Sequence, residues 1–192
     1  MTTIQGRRVV LREKTLQDAQ NDYRWRVDPE LARLDDTIPL RMTFSAFLEM
    51  YEDELKYPTP GRRRFAVESA DGRHIGNCMY YDLNLLQGEA ELGIMIGERE
   101  YWDQGYGTET VEAVLGHLFQ KLRLRRVYLH TLEWNTRAQK CFLKCGFVPT
   151  GKVYRSGSLL IAMEILREEW AKQKGTTGAE QEARDSSGPA PG

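Results

Sequence analysis

Gly105 and Gly107 stand at the end of a polar loop, Gly97 to Gly107, with a strongly patterned helix directly after them. A strand, a Gly-x-Gly turn and a helix in that order can bind an anion. The glycines let the backbone approach closely. The first N–H groups of the helix have no intrahelical partner, and the macrodipole adds partial positive charge there. A phosphate or pyrophosphate can be held this way by the amides of Gln104, Gly105, Tyr106, Gly107 and Thr108, without lysine or arginine. A tight strand-to-helix turn that binds nothing carries the same two glycines, so the motif alone leaves both readings open. The chain has no G-x-x-x-x-G-K-[ST], and Thr110 stands where a third glycine would complete G-x-G-x-x-G. Upstream, Glu89 and Glu91 lie at i, i+2 and share one face of a strand.

The elements that must position these residues are readable from periodicity. Arg8 to Leu11 and Arg12 read as a short strand. Thr15 and Asp18 form a capping-box variant at the head of a helix that runs to about Val27, ahead of Asp28-Pro29. Phe44, Phe47, Leu48, Tyr51 and Leu55 recur at helical spacing, and Tyr57-Pro58 closes that helix. Arg64 to Ser69 alternates as a strand, Asp71-Gly72 signals a hairpin, and His74 to Leu83 is the return strand. Another strand covers about Ala90 to Ile96. After the glycine loop, Val111, Val114, Leu115, Leu118, Phe119 and Leu122 mark the apolar face of a helix opening at about Thr108. Arg126 to Leu132 is a strand. Asn135 can cap a short helix with apolar face Ala138, Cys141, Phe142 and Cys145, stopped by Gly146. Leu159 to Leu166 is a final strand.

The 192 residues carry Lys+Arg 27 against Asp+Glu 28, a net charge of −1. That excludes attachment to nucleic acid or anionic lipid by bulk positive charge, and Arg62-Arg63-Arg64 reads as a solvated cluster. No run reaches the roughly 18 apolar residues of a membrane span. The first residues lack the apolar stretch of a signal peptide, and three cysteines do not form a secreted framework, so a reduced, cytoplasmic protein is expected. The three histidines are scattered, and no C-x-x-C or H-E-x-x-H occurs, so no metal site is expected. From Gly175 to Gly192 the chain has no large apolar residue, which predicts a disordered tail behind one domain over residues 1–174.

Glu-Leu-Gly-Ile-Met-Ile-Gly (91–97), Tyr-Trp-Asp-Gln-Gly-Tyr-Gly-Thr-Glu (101–109) and the helix after them resemble the acetyl-CoA-binding motif of the GNAT superfamily of N-acetyltransferases. Trp134-Asn-Thr-Arg-Ala138 followed by Phe142-Leu-Lys-Cys-Gly-Phe147 resembles the second motif of that family. Arg24-Trp25-Arg26, Asp28-Pro29 and Leu166-Arg-Glu-Glu-Trp170 resemble its RimJ/RimL branch. The resemblance covers about residues 7–170. It implies an α/β fold with a mixed sheet of about seven strands, flanked by helices, whose strands at 90–96 and 126–132 run parallel and splay apart. It further implies that acetyl-CoA serves as cosubstrate, its pantetheine on the backbone of Ile94, Met95 and Ile96 and its pyrophosphate on the glycine turn. Asn135 and Phe142 would then lie beside the pantetheine arm. The acceptor would be a primary amine: a protein or peptide α-amine, an amino sugar, a polyamine or an antibiotic. Relatives often dimerise. Two positions depart from the family pattern. Trp102 replaces the usual Gln or Arg. Phe142 stands where many relatives carry the tyrosine that protonates the leaving thiolate, and the neighbouring Cys141 is expected to face another way.

Acetyl transfer to an amine needs a neutral amine, a donor for the oxyanion and a thiolate that can leave. A lysine ammonium with pKa ~10.4 is only about 0.1% neutral near pH 7.4, whereas an α-amine near 7.8 is roughly 30% neutral. A backbone N–H near Met95 can hold the oxyanion. Within the resemblance, Glu91 and Glu89 are the candidate bases, and exposed solvating carboxylates are the plain alternative. Tyr128 and His130 on the facing strand could polarise the substrate, and Tyr23 and Trp25 could line the acceptor site or pack in the core. A non-catalytic acyl-CoA-binding sensor or complex subunit is the rival from another class, favoured by Phe142.

Overall fold

The computed structural model describes residues 2–175. In chain order the elements are β1 (Thr3–Gln5), β2 (Val9–Glu13), α1 (Ala19–Val27), α2 (Pro29–Leu34), α3 (Phe44–Lys56), β3 (Arg63–Ser69), β4 (His74–Asn84), β5 (Glu89–Ile96), α4 (Tyr106–Gly116), β6 (Arg126–Leu132), α5 (Thr136–Lys144), β7 (Val148–Arg155) and β8 (Ser158–Leu166). Residues 167–175 form a last helix, α6. The strands make one mixed sheet in the order β1-β2-β3-β4-β5-β6-β8-β7. Neighbours are antiparallel, except that β5 and β6 run parallel.

Alternation sends one set of side chains to each face of the sheet. Leu11, Phe65, Val67, Cys78, Leu92, Val127 and Leu129 are buried with Val111, Val114 and Leu115 of α4, and with Leu118 of the wider helical turn that continues it, in the main core. The predicted apolar stripe of α4 is thus its buried face. The other face of the sheet is more polar and carries the helices of the first half. There Ala19 of α1 meets Phe47 and Tyr51 of α3. Charge ties this layer down. Asp22 of α1 accepts from the Tyr51 hydroxyl (2.8 Å), the Asn77 amide (2.8 Å) and the Lys14 ammonium (2.9 Å). Burial pulls the Lys14 ammonium down to about 8, against the opposing attraction of Asp22.

Several elements differ from the sequence expectation. Asp28-Pro29 both ends one helix and starts the next. Asp28 accepts from the amides of Glu30 and Leu31 at 3.0 Å, and Pro29 takes the first helical position, where its missing N–H is not needed. The sheet has eight strands rather than seven. β1 is only three residues long, and β7 is an outer strand, exposed along almost its whole length, so neither shows a buried alternation. Helix α4 begins at Tyr106, two residues before the expected Thr108, with Gly105 capping it at φ +86°. Gly175 closes α6, and the remainder of the expected tail, 176–192, lies outside the described residues. No helix among the described residues is long and apolar enough to cross a membrane.

Candidate active site

The parallel pair β5–β6 is in register for only three residues: Glu89 with Arg126, Ala90 with Val127 and Glu91 with Tyr128. Beyond them β6 continues against β8, while β5 continues against β4 out to Ile96. The edge of β5 that faced β6 therefore has no strand partner from Leu92 onward, and its amides and carbonyls are open to a ligand. The indole of Trp102 donates to the Ile96 carbonyl at 2.7 Å, which fixes the far end of that edge. Trp102 is thus a prop for the strand rather than an anion contact.

A cavity of about 330 Å³ opens along this edge, lined by Ile94, Met95, Ile96, Gly105, Gly107, Thr108, Asn135, Cys141 and Phe142. At one end lies the glycine turn. The first helical bond of α4 runs from the Glu109 amide to the Gly105 carbonyl, so the amides just before it have no helical acceptor. The side chains of Gln104 and Tyr106 turn elsewhere: Gln104 donates to the Glu100 carbonyl, and Tyr106 lies edge-on to Tyr101 beneath the Arg8 guanidinium. Their contribution to an anion can only be main-chain. Arg137, Lys140 and Lys144 of α5 add positive charge to the same cavity, Arg137 stacked 3.5 Å above the Trp102 ring. Sequence reasoning missed these three cations. Their i, i+3, i+7 spacing on a helix after the Asn135 cap was the available signal, hidden by a net charge near zero.

Asn135 does cap α5, accepting from the Ala138 amide at 3.2 Å. Phe142 is buried against Phe147 and forms part of the cavity wall. Cys141 corrects the expectation that it faces away. It lines the same cavity, and the Thr108 hydroxyl donates to its sulfur at 3.6 Å. Hydrogen bonding from Cys145 and Thr108 holds the Cys141 thiol below its usual value, against the opposing effect of burial. Gly107 makes the cavity testable. A Cβ there would point at the Cys141 sulfur (3.5 Å) and Ile96 Cγ1 (3.9 Å), ordinary contacts that cost the fold nothing. G107A is therefore expected to keep its melting temperature within about 2 °C while its acetyl-CoA KM rises about tenfold, because the methyl occupies ligand space. Unchanged KM would remove the cofactor from this turn.

A second cavity, about 770 Å³, lies on the polar face of the sheet under α1 and α3 and shares Ile94, Met95 and Asp35 with the first. Asp22, Tyr51, Arg62, Arg64, Met79 and Tyr81 line it. Glu91 sits behind this wall, 3% exposed. It accepts from His130 Nδ1 at 2.8 Å and lies near the Tyr81 phenol, whose pKa is raised by burial and by that carboxylate. His130 is two residues beyond the last β5–β6 pair, in the mouth of the splay. Glu89 is occupied differently: Arg126 holds it at 2.9 Å and bonds Glu164 at 2.6 Å with the same guanidinium. Tyr128 also lies against Arg126, under its guanidinium. Trp25 is core, its ring laid on the backbone of Gly97 and its N–H donated to Glu98 at 3.1 Å. Tyr23 packs on Phe44 and Phe47. Among the described residues no cluster could hold a metal ion.

One open strand edge, one glycine turn and two cavities meeting on the same residues make up the site, and the chain's sequence and fold resemble those of known acetyltransferases. Residues 8–148 match the model of the acetyltransferase (GNAT) domain. The chain is 26% identical over 153 residues to the uncharacterized N-acetyltransferase p20 of Bacillus licheniformis, covering 79% of this chain and 85% of that one. It is 25% identical over 197 residues to the human alpha/beta-tubulin-N-acetyltransferase 9, covering 97% and 95%. The crystal structure of spermidine N-acetyltransferase from Vibrio cholerae in complex with CoA and spermine superposes with a TM-score of 0.75 at 24% identity, covering 85% of this chain and 98% of that one. With residues 8–148 matching that domain and the fold in agreement, the chain belongs to the GNAT family of acetyltransferases.

Proposed function

We propose that this N-acetyltransferase moves an acetyl group from acetyl-CoA to the primary amine of an acceptor that enters the larger cavity. The observation that carries the reading is the meeting of the two cavities at Ile94 and Met95, on the unpaired edge of β5. The smaller cavity suits the cofactor: open backbone for pantetheine, free amides at the glycine turn, and three cations of α5 for phosphates. When bound, acetyl-CoA supplies the activated acyl group. The chain supplies the rest. The open amides of β5 offer a donor beside the reacting carbonyl.

Glu91 takes the Nδ1–H of His130, which fixes the tautomer and leaves Nε2 with a free lone pair to receive the amine proton. In this reading His130 is the base and Glu91 orients it and balances its charge, while Glu89 belongs to an ion-pair cluster. Cys141, beside Phe142 in the chain and lining the same cavity, carries the S–H that Phe142 lacks. The RimJ/RimL placement rests on the Arg24-Trp25-Arg26 and Leu166–Trp170 segments. Relatives named for tubulin and for spermidine leave the acceptor to the site itself. Action in the cytoplasm and a homodimeric assembly belong to the same proposal.

Thiol release from acetyl-CoA, followed with DTNB across a panel of primary amines, tests it. Amine-dependent release above background is expected. Acetyl-CoA binding without release for any amine would instead favour the non-catalytic module to which Phe142 points.

A further inference from the structure

The larger cavity contains an unmatched cation. Its other cations and its buried carboxylate are paired: Asp22 with Lys14 at 2.9 Å, Arg64 with Glu54, and Arg26 with Asp35 at 3.9 Å. Arg62 is different. It is half-buried, its Nε is buried without a hydrogen-bond partner, and the one polar contact of its side chain is from Nη2 to the Met79 sulfur at 3.8 Å. The sequence expectation of a solvated Arg62-Arg63-Arg64 cluster holds only for Arg63. Period-two alternation turns Arg62 and Arg64 to the polar face, where Arg64 meets Glu54 and Tyr51 of α3 and Arg62 lies against Met79 of β4. The Arg62 Nε–H gives up water without gaining an acceptor, and fold geometry alone gives no reason to keep it there.

Arg62 also stands close to the reaction. Met79, which it touches, pairs in register with Gly93, the residue before Ile94. Asp82, with no ion-pair partner, is the complementary feature: an exposed carboxylate on the same wall. Among the described residues, one half-buried cation and one exposed anion of this wall lack an ion-pair partner, which does not suit a bare polycation, since that needs several open carboxylates. The two suit an acceptor that carries both signs.

We infer that Arg62 is a specificity residue that binds an anionic group, carboxylate or phosphate, on the same molecule as the acceptor amine. This rests on the acetyl-transfer reading above and narrows its substrate class to amines bearing an anion.

Matched acceptors test it: the ω-amino acids from β-alanine to 6-aminohexanoate against their carboxamides and the corresponding diamines, and O-phosphoethanolamine against ethanolamine. The wild type is expected to favour the anionic member of a pair by about tenfold or more in kcat/KM. That ratio should fall to within about threefold in Arg62→Met, which keeps the apolar stem, and be partly retained in Arg62→Lys. Preference for the phosphate or the carboxylate series names the source of the anion. Equal or better use of amides and diamines by the wild type, or an unchanged ratio in R62M, overturns the inference and leaves acetyl transfer standing. If no amine is turned over, the transfer reading fails, and calorimetric titration of the same acids and amides into the CoA-saturated protein still decides about Arg62. Binding of the acids alone, lost in R62M, upholds it; no binding, or equal binding of amides, sinks it. Should R62M not fold, the wild-type preference and R62K carry the decision by the same criteria.

Discussion

Replacing Glu91 with glutamine is expected to lower kcat/KM for a working amine by about a hundredfold, with little change in acetyl-CoA binding. Glutamine has the same shape and can still accept from His130 Nδ1, so the fold has no reason to fail. What disappears is the charge behind the imidazole. A neutral partner neither balances the imidazolium that forms nor enforces the tautomer, since glutamine can present its NH2 as readily as its oxygen. The effect should be shared with His130. If the two act as a unit, E91Q combined with His130→Gln costs no more than the larger of the single changes. Multiplying effects would mean two independent roles. A rate within about threefold of wild type in E91Q would end the assignment of Glu91 to the chemistry.

Gly76→Ala is expected to be the most damaging small substitution. A Cβ at this position would stand inside contact distance of the Met95 carbonyl oxygen and 2.9 Å from Ile96 Cα. These are backbone atoms of the adjacent strand, which no rotamer change can move aside. Strand β5 would have to shift away from β4 at the very residues that meet both cavities. We expect a loss of about 3 kcal/mol and a fall in melting temperature of roughly 6–12 °C. The soluble fraction should also show a raised KM for acetyl-CoA. Gly116→Ala is the control: nothing lies within 4 Å of its Cβ, and alanine suits a helix better than glycine. Equal melting curves for the two variants would show that β4 and β5 are not tightly registered there.

Local rules made part of this molecule readable in advance. Arg126–Leu132 has the expected bounds as a strand, Asn135 caps α5, and Gly146 stops it at φ +91°, because each depends on residues a few positions apart. Most residues singled out by the motif resemblance line one cavity for the same reason: its turn and its strand are each contiguous in sequence. The acceptor side was not legible. Glu89 and Glu91 look alike as a pair on one strand face. What separates them is Arg126 and His130, residues nearly forty positions away. Cys141 was misjudged because the direction of a helical side chain says nothing about how wide a cavity its helix borders. Arg62 looked solvated because the neighbour its side chain touches, Met79, comes from the next strand.

The splay between β5 and β6 has a kinetic consequence. In the proposed reading cofactor and acceptor occupy separate cavities that share Ile94, Met95 and Asp35, so neither blocks the other's door. The protein has no need to store the acyl group on a side chain between visits. Both substrates can be aboard together, and either product can depart while the other stays. Initial-rate lines for such an enzyme intersect rather than run parallel, and a desulfo analogue of the cofactor competes with acetyl-CoA but not with the amine.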